Sequence, residues 1–285
     1  MKRMLSSILC VGSIAAGLTA ASAADGWLQF RGPNQNGTSP ETNLPETVNL
    51  DDMVLWSADL SGRSAATVAN GKLYVMGYAG DGPDLQELIA CFDANTGRKL
   101  WEHRFNDFIS DIIYTRYATS SPTIDPETGN VFMQGTQGVI AAFTPDGKML
   151  WHHSMMEKYG RMTFPNGRTA SFLIDGDNAI THHIMANWGG NGPARDRFYA
   201  FDKNTGELVW YSTPGGPPKD SSYSPPVIAD FHGQKVIYCG TGDGSVVCFN
   251  ALTGAPIWAS KISQGGINSG VIVLDDRVIA IHGNE

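Results

Sequence analysis

The chain has 285 residues, with 33 glycines and 15 prolines, and its 20 basic and 28 acidic side chains give a formal net charge of −8. Such a negative balance, without a cluster of Lys or Arg, repels phosphate backbones and anionic lipid, which argues against nucleic-acid binding and broad membrane adhesion. Abundant Gly and Pro, short apolar stretches and no sustained helical stripe predict an all-β protein.

Residues 1–23 are predicted to be a signal peptide. Lys2 and Arg3 precede an apolar run over residues 4–18, and the small residues 21–23 form a cleavage site. The run is shorter than the ~20 apolar residues that a membrane span needs. We therefore expect an exported protein of the periplasm or cell surface, without a membrane span.

Two segments are expected before the repeats begin. Residues 24–50 read as an irregular N-terminal lead-in that packs across the fold. Residues 53–60, which contain Trp56, have the pattern of an outer strand without a blade of its own. In a closed ring such a strand would complete the last blade and remove a free edge.

One phrase then recurs four times: a small residue, Phe, a polar residue, a tight turn that ends in Gly, and a Trp four residues after that Gly. The copies end in Gly97 and Trp101, Gly147 and Trp151, Gly206 and Trp210, and Gly254 and Trp258. Intervals of 50, 59 and 48 residues between these tryptophans are typical of solenoids, arrays and propellers.

The chemistry of the phrase explains why it would repeat. An Asp or Asn side chain accepts from backbone N–H groups two residues on, and Gly takes the positive φ that closes the turn. The Trp, at a constant offset, is expected to pack on the neighbouring blade and donate its indole N–H there. Trp56 and the four repeat tryptophans, with their four glycines, are therefore predicted to be structural docking residues.

Each unit divides into four antiparallel strands, which predicts a β-propeller over residues 51–285. The predicted blades cover about 64–105, 117–156, 168–213 and 222–262, followed by a partial blade over 267–285. Because native sheets avoid naked edges, the half-blade indicates a C-terminally truncated piece of a larger propeller.

The repeated phrase resembles the tryptophan-docking repeat of the pyrroloquinoline-quinone-like (quinoprotein dehydrogenase-like) β-propellers. That superfamily includes quinoprotein alcohol dehydrogenases and the propeller lipoprotein of the outer-membrane assembly machinery. The lead-in Trp27-x-x-Phe30-Arg31-Gly32-Pro33-Asn34 is similar to the start of exported bacterial members. The resemblance implies a ring of seven or eight blades. In the dehydrogenases it also implies an adjacent-cysteine disulfide, a carboxylate base and calcium, but this chain has no Cys-Cys pair.

The sequence leaves one disulfide between the cysteines as an open possibility. Cys91 and Cys248 occupy the small position of the phrase and are expected to be buried. A two-residue turn at 243–244 would place Cys239 opposite Cys248 and allow a disulfide in an exported protein. A three-residue loop over 242–244 would instead pair Cys239 with Val247 and forbid the bridge.

The paired histidines and a short acidic turn are the remaining candidates for metal ligands. Neighbouring strand residues face opposite sides of a sheet, so His152-His153 and His182-His183 cannot each converge on one ion. The run over 175–178 lacks the distal Glu of a calcium loop. No metal site is predicted.

The Ser/Thr-rich segments that precede the first strand of each unit, here called pre-strand segments, point toward the central channel of a propeller. They supply five candidate channel residues: Arg63, Thr119, Arg168, Tyr223 and Asn268. The two arginines could hold a carboxylate or phosphate. Salt bridges or hydrogen bonds to neighbouring loops are the alternative.

Because no catalytic constellation is assembled, the preferred function is a non-catalytic exported propeller that acts as a binding or protein-interaction scaffold. Its partner would be a protein or a small anionic or glycan ligand, with no cofactor. The alternative is a fragment of a quinone-dependent alcohol or sugar dehydrogenase whose cysteines and calcium ligands lie in missing blades. A glycan-binding or glycan-processing propeller is a third hypothesis.

Overall fold

The computed structural model describes residues 24–107, 116–162, 170–186 and 194–282. The predicted signal peptide over residues 1–23 lies outside these ranges. Almost all regular structure in these ranges is β. They contain two α-helices, α1 (Leu50–Met53) and α2 (Met155–Tyr159), and a 3-10 turn at Gly82–Asp84. Neither helix among the described residues is long and apolar enough to cross a bilayer.

The first sheet has five antiparallel strands in sequence order. Its strands are β1 (Gly26–Trp27), β2 (Thr67–Ala69), β3 (Lys72–Ala79), β4 (Gln86–Asp93) and β5 (Lys99–Asn106). The strand β1 comes from the N-terminal lead-in and pairs Gly26 with Ala69 at the inner edge. The lead-in, expected to be irregular, therefore contributes one strand to the first blade.

The next three sheets repeat the same antiparallel meander, and a two-stranded hairpin follows them. The second sheet contains β6 (Thr123–Ile124), β7 (Val131–Gln134), β8 (Val139–Phe143) and β9 (Met149–Ser154). The third contains β10 (Arg161–Met162), β11 (Leu173–Asp175), β12 (Asn178–Ala186), β13 (Arg195–Asp202) and β14 (Leu208–Ser212). The fourth contains β15 (Val227–Phe231), β16 (Gln234–Gly240), β17 (Ser245–Asn250) and β18 (Pro256–Lys261), and the hairpin is β19 (Ile272–Leu274) with β20 (Arg277–Ile279).

The apolar core lies between successive sheets rather than within a single one. Tyr74 and Ile89 of the first sheet share a buried cluster with Val131 and Phe143 of the second. Two further clusters join the second sheet to the third and the third to the fourth. Because the second and third sheets each bury both faces against neighbouring sheets, strands such as β7 and β8 are buried along almost their whole length. The prediction of an all-β propeller with four-stranded antiparallel blades is confirmed.

The tryptophan of one unit fits against the Gly-containing turn of the next unit. At Gly147, φ is +86° and a Cβ would stand 2.6 Å from Trp101 Cγ, so only glycine allows the indole to lie flat on this turn. Gly206 bears the same relation to Trp151. Three indole N–H groups donate to backbone carbonyls of the following turn: Trp56 to Ala94 at 2.9 Å, Trp101 to Pro145 at 3.0 Å and Trp151 to Lys203 at 3.0 Å.

The last two tryptophans depart from this pattern. Trp210 packs on Gly254, but its buried indole nitrogen has no hydrogen-bond partner among the described residues. Trp258 is 38% exposed, and its ring packs on Tyr238 of its own sheet, with ring centroids 5.8 Å apart. Packing on the next turn is therefore seen for four of the five tryptophans, and the hydrogen bond for three.

The prediction of an outer strand over 53–60 is wrong for the described structure. Asn49 caps helix α1 by accepting from the Asp51 N–H, and residues 54–60 form no strand because no neighbouring strand pairs with them. Pairing begins only at Ser61, which bridges Tyr78. Trp56 nevertheless fills the Gly97 turn, so its docking role does not require a strand.

The N-terminal lead-in contacts several blades in turn. Ala24 donates to the Pro126 carbonyl, and the Leu28 carbonyl accepts from Ile124 in the second blade. Further along, the Gln35 side chain accepts from the Ile228 N–H in the fourth blade. Arg31 also donates to Val271, next to the C-terminal hairpin. The lead-in therefore packs across the fold.

Candidate functional site

A cavity of about 380 Å³ opens where the pre-strand segments of five successive units meet. Its lining residues are Phe30, Arg63, Arg116, Thr119, Ser121, Ala170, Ser171, Tyr223, Pro225, Asn268, Ser269 and Gly270. Phe30 comes from the lead-in, and every other lining residue comes from a pre-strand segment. We call this cavity the central pocket.

Four of the five predicted channel residues line the central pocket: Arg63, Thr119, Tyr223 and Asn268. The fifth, Arg168, lies outside the described residues. Arg116 was not predicted, although it stands three residues before Thr119 in the same pre-strand segment and that position could have indicated it. Phe30 was not predicted either, because its approach to the pocket depends on the path of the lead-in.

Serine side chains hold neighbouring pre-strand segments together around the pocket. The Ala65 N–H donates to Ser121 Oγ at 3.2 Å, and the Ser121 N–H donates to Ser171 Oγ at 2.9 Å. On the opposite side, Ser224 Oγ donates to the Ser269 carbonyl at 2.9 Å. The Ser/Thr-rich composition of these segments therefore links successive units where the pocket forms.

The pocket combines apolar walls with two cationic groups. Phe30 and Pro225 supply apolar surface, and Arg63 and Arg116 supply guanidinium groups, while the described lining residues include no carboxylate. The buried Oδ1 of Asn268 has no hydrogen-bond partner among the described residues. A few polar groups set in apolar walls are typical of ligand pockets. Paired guanidinium groups suit a carboxylate in particular.

The same lining can be compared with the ligands that a quinone and its calcium would need. The resemblance implies adjacent cysteines and carboxylate oxygens, and the described lining offers neither. Across the described ranges, no group of three His, Cys, Asp or Glu side chains is placed to hold a metal. The described residues of the pocket therefore do not fit that cofactor.

Two buried carboxylates lie elsewhere, each on the strand next to the outermost strand of its blade, and each contacts the following blade. Glu87 of β4 is fully buried and accepts from the Ala118 N–H at 2.7 Å and from the N–H and hydroxyl of Thr136 at 2.6 Å each. Burial raises the pKa of Glu87 to about 7, although the hydrogen bonds from Thr136 and Ala118 oppose this rise. All three donors belong to Ala118 and Thr136 of the second unit, so Glu87 joins the first blade to the second.

Asp196 of β13 plays the corresponding part between the third and fourth blades. One of its oxygens accepts from the Gly242 N–H at 3.0 Å, and the other lies 2.8 Å from His182 Nδ1. His182 Nε2 lies 2.9 Å from the Ser224 carbonyl, which only accepts, so this nitrogen carries a proton. Burial acts to lower the pKa of His182, but Asp196 outweighs it and raises that pKa.

His153, of the His152-His153 pair, and Asp175, of the acidic turn, also contact the neighbouring blade. His153 Nε2 lies 2.8 Å from the Gly206 carbonyl in the next blade, and His103 makes the same contact with Gly147. Both histidines stand two residues after a docking Trp, a signal that the sequence analysis missed. Asp175, in the acidic turn, pairs with Lys235 of the fourth blade.

The possible disulfide is not present. Cys239 lies opposite Val247 because the loop over 242–244 has three residues, and Cys91, Cys239 and Cys248 are free thiols. Burial raises the pKa of Cys91 to about 11 and that of Cys239 well above its ordinary value. Such thiols are protonated at neutral pH and are therefore poor nucleophiles.

Comparison with known proteins gives one matching family. The family described as outer membrane protein assembly factor BamB matches residues 46–186 and 194–285. The BamB protein of Burkholderia pseudomallei (strain K96243) is 22% identical over 267 residues, which is 92% of this chain. The chain spans 57% of the length of that relative.

Solved structures agree on the fold. Quinohemoprotein alcohol dehydrogenase from Comamonas testosteroni matches 78% of this chain and 39% of its own, with 15% identity and a TM-score of 0.50. A europium-containing methanol dehydrogenase matches 74% of this chain and 44% of its own, with 16% identity and a TM-score of 0.52. At such identities the likeness concerns the PQQ-like propeller alone. Because the family match covers well over half of its residues, this chain belongs to the outer membrane protein assembly factor BamB family.

Proposed function

We propose that the chain is an exported, non-catalytic propeller that binds a protein partner in outer membrane protein assembly. The observation that carries the proposal is the central pocket, which five successive units build together. The name of the family, outer membrane protein assembly factor, supports the proposed role. The site of action would be the periplasm, and no cofactor is involved.

The pocket favours a partner segment that offers both an acidic and an apolar side chain. Arg63 is exposed at the rim and Arg116 is half-buried, so a carboxylate could reach both guanidinium groups from solvent. Phe30, Tyr223 and Pro225 would then cover the apolar part of the same segment. A protein loop carries both features within a few residues.

Photo-crosslinking in the native cell envelope tests this proposal. A photoreactive amino acid replaces Ser269, an exposed lining residue, and the matched control replaces Leu252, which is 73% exposed on an outer turn. We expect the variant at 269 to form an adduct with a component of outer membrane protein assembly, and Arg63→Glu to abolish it. Equal adducts at 252, or none at 269, would contradict the proposal.

A second assay tests the dehydrogenase alternative. Pyrroloquinoline quinone and calcium are added to the protein, and the quinone absorbance and dye reduction with an alcohol or sugar are followed. We expect neither a spectral shift nor turnover. Turnover would show a catalytic function and exclude the non-catalytic scaffold.

A further inference from the structure

A second cavity, of about 540 Å³, lies between the second and third blades, away from the central pocket. Its lining residues are Lys158, Tyr159, Arg195, Arg197, Tyr199, Leu208, Tyr211 and Thr213. We call it the basic cleft, because three of these side chains are cationic and the described part of the lining contains no acidic one. In a chain with a net charge of −8, this local excess of positive charge is unusual.

Strand alternation explains how the basic cleft forms. Arg195, Arg197 and Tyr199 alternate along β13, so they share one face of the third blade. Tyr199 lies opposite Tyr211 in the register of β13 and β14, which adds the next strand to that face. The intervening residues, Asp196 and Phe198, point to the other face and contact the fourth blade.

The helix α2 supplies the opposite wall. Tyr159 packs on Tyr199 with ring centroids 5.2 Å apart, which fixes the end of the helix against the third blade. Lys158, its exposed neighbour, also lines the cleft, and its ammonium group lies 3.4 Å from His153 Nε2. Its positive charge acts on His153: burial lowers the pKa of that histidine, and Lys158 lowers it further.

An independent observation indicates a ligand. Tyr199 is 2% exposed, and the Arg197 guanidinium, which can only donate, hydrogen-bonds its hydroxyl, so the hydroxyl proton has no acceptor among the described residues. A buried hydroxyl whose proton has no acceptor lowers the stability of the fold. Because Tyr199 lines the cleft, an oxygen-rich ligand there could accept from this hydroxyl and remove that cost.

The combination of groups favours phosphate over a simple carboxylate. A phosphate monoester carries about −1.5 to −2 charges at neutral pH and three acceptor oxygens. Three cations match that charge better than they match a single negative charge, and the hydroxyls of Tyr199, Tyr211 and Thr213 provide further donors. The tyrosine rings leave apolar surface for an organic group attached to the phosphate.

We infer that the basic cleft binds the phosphate group of a small phosphate monoester. The negative net charge does not oppose this, since a cleft focuses its own local field. The same group could be free in solution or carried on a lipid headgroup. Both sources present the same charge and oxygens, so the experiments must distinguish them.

Calorimetric titration of the full chain with inorganic phosphate at low salt tests the inference. The double variant Lys158→Gln/Arg195→Gln removes two cleft charges. The control Lys261→Gln/Arg277→Gln removes two exposed charges from β18 and β20. We expect the cleft variant to raise the Kd about tenfold or more, and the control to leave it within about twofold.

The absence of saturable phosphate binding, or an equal loss in the control, would overturn the inference. Equal affinity for acetate would also overturn it, because phosphate would then hold no advantage. Lys158 is exposed, so the single variant Lys158→Gln keeps the test valid if the double variant does not fold. It should raise the Kd about threefold or more.

Vesicles identify the source of the phosphate. Binding to phosphatidylcholine vesicles that contain phosphatidic acid is compared with binding to plain phosphatidylcholine, with glycerol 3-phosphate as a soluble competitor. Competition by glycerol 3-phosphate at its solution Kd supports a soluble ester. Cleft-dependent binding to the phosphatidic acid vesicles that the competitor does not displace supports a lipid-borne group. Vesicle binding that the cleft variant retains would contradict the inference.

Discussion

Neighbouring blades are joined by two kinds of contact, which differ in chemistry and in regularity. The outer contacts place a Trp on the Gly-containing turn of the next blade, and they recur at every junction from Trp56 to Trp210. The inner contacts bury Glu87 and Asp196, and they join the first blade to the second and the third to the fourth. The outer contacts use neutral groups, whereas the inner contacts use ionisable side chains.

The outer contacts are therefore a general feature of the fold, whereas the inner contacts are found at particular junctions between blades. An indole on a glycine turn needs only shape and a carbonyl, so it functions in each unit independently of pH. A buried carboxylate is stable only when several donors surround it. The second and fourth units have Gly138 and Gly244 at the position of Glu87 and Asp196, so they lack this carboxylate. A buried pair of Asp125 and Lys203 joins the second blade to the third instead.

The largest effect on stability is expected from removing an outer contact whose Trp is both packed and hydrogen-bonded. Trp151→Ala should lower the free energy of unfolding by about 3–5 kcal/mol, because Trp151 is 7% exposed and packs on Gly206. Trp258→Ala is the matched control, since Trp258 is 38% exposed. Urea denaturation should show a much smaller loss for the control. Similar losses would mean that the outer contacts do not carry the stability assigned to them.

A smaller effect is expected on the pH dependence of stability, which should distinguish the inner contacts from the outer ones. The folded protein raises the pKa of Glu87 from 4.5 to about 7, so between these values the folded state holds a proton that the unfolded state has released. Stability therefore falls as pH rises through this window, by about 2 kcal/mol between pH 5 and 7.5. Glu87→Gln should abolish this part of the slope in urea titrations.

Glu102 provides a control of opposite sign. Burial acts against its ionisation, but Lys99 and Arg104 outweigh burial and lower its pKa. Its contribution to stability is present above the pKa of the unfolded state and is lost as pH falls through the pKa of the folded state. Glu102→Gln should therefore leave the pH dependence of stability between pH 5 and 7.5 unchanged. His182, whose pKa is raised, contributes stability that is lost as pH rises above about 6.5. An unchanged slope in Glu87→Gln would refute the role assigned to Glu87.

The smallest effect should separate two outer contacts from each other. Trp151→Phe loses the hydrogen bond to Lys203 and should cost more than Trp210→Phe by about 1 kcal/mol, because the Trp210 indole nitrogen has no partner among the described residues. Thermal or urea unfolding of both variants measures the difference. Equal costs would indicate that the indole hydrogen bond adds nothing to the packing.

The repeated features could be predicted because they depend on short-range chemistry. Asp93 Oδ1 accepts from the N–H groups of Asn95 and Thr96, as its turn sequence requires. The position of Thr119 in the central pocket follows from the propeller frame once the units are aligned. The inner contacts left a weaker signal: Glu87 and Asp196 each stand five residues before the Phe of their phrase.

Other features required long-range information. The register of Cys239 depended on a one-residue difference in loop length, which turn sequences alone left open. Residues 54–60 had the pattern of a strand but no partner to pair with. The basic cleft depends on α2 packing against a strand nearly forty residues later, which no local pattern encodes.

The outer contact has a direction, since each unit offers an indole to its successor and a glycine turn to its predecessor. Such head-to-tail joints are interchangeable: after loss or duplication of one whole unit, the new neighbours still present matching halves. A fold built in this way can change its number of units in evolution without designing a new interface. Specialised contacts, such as those of Glu87 and Asp196, would then identify pairs of units that have remained adjacent during evolution.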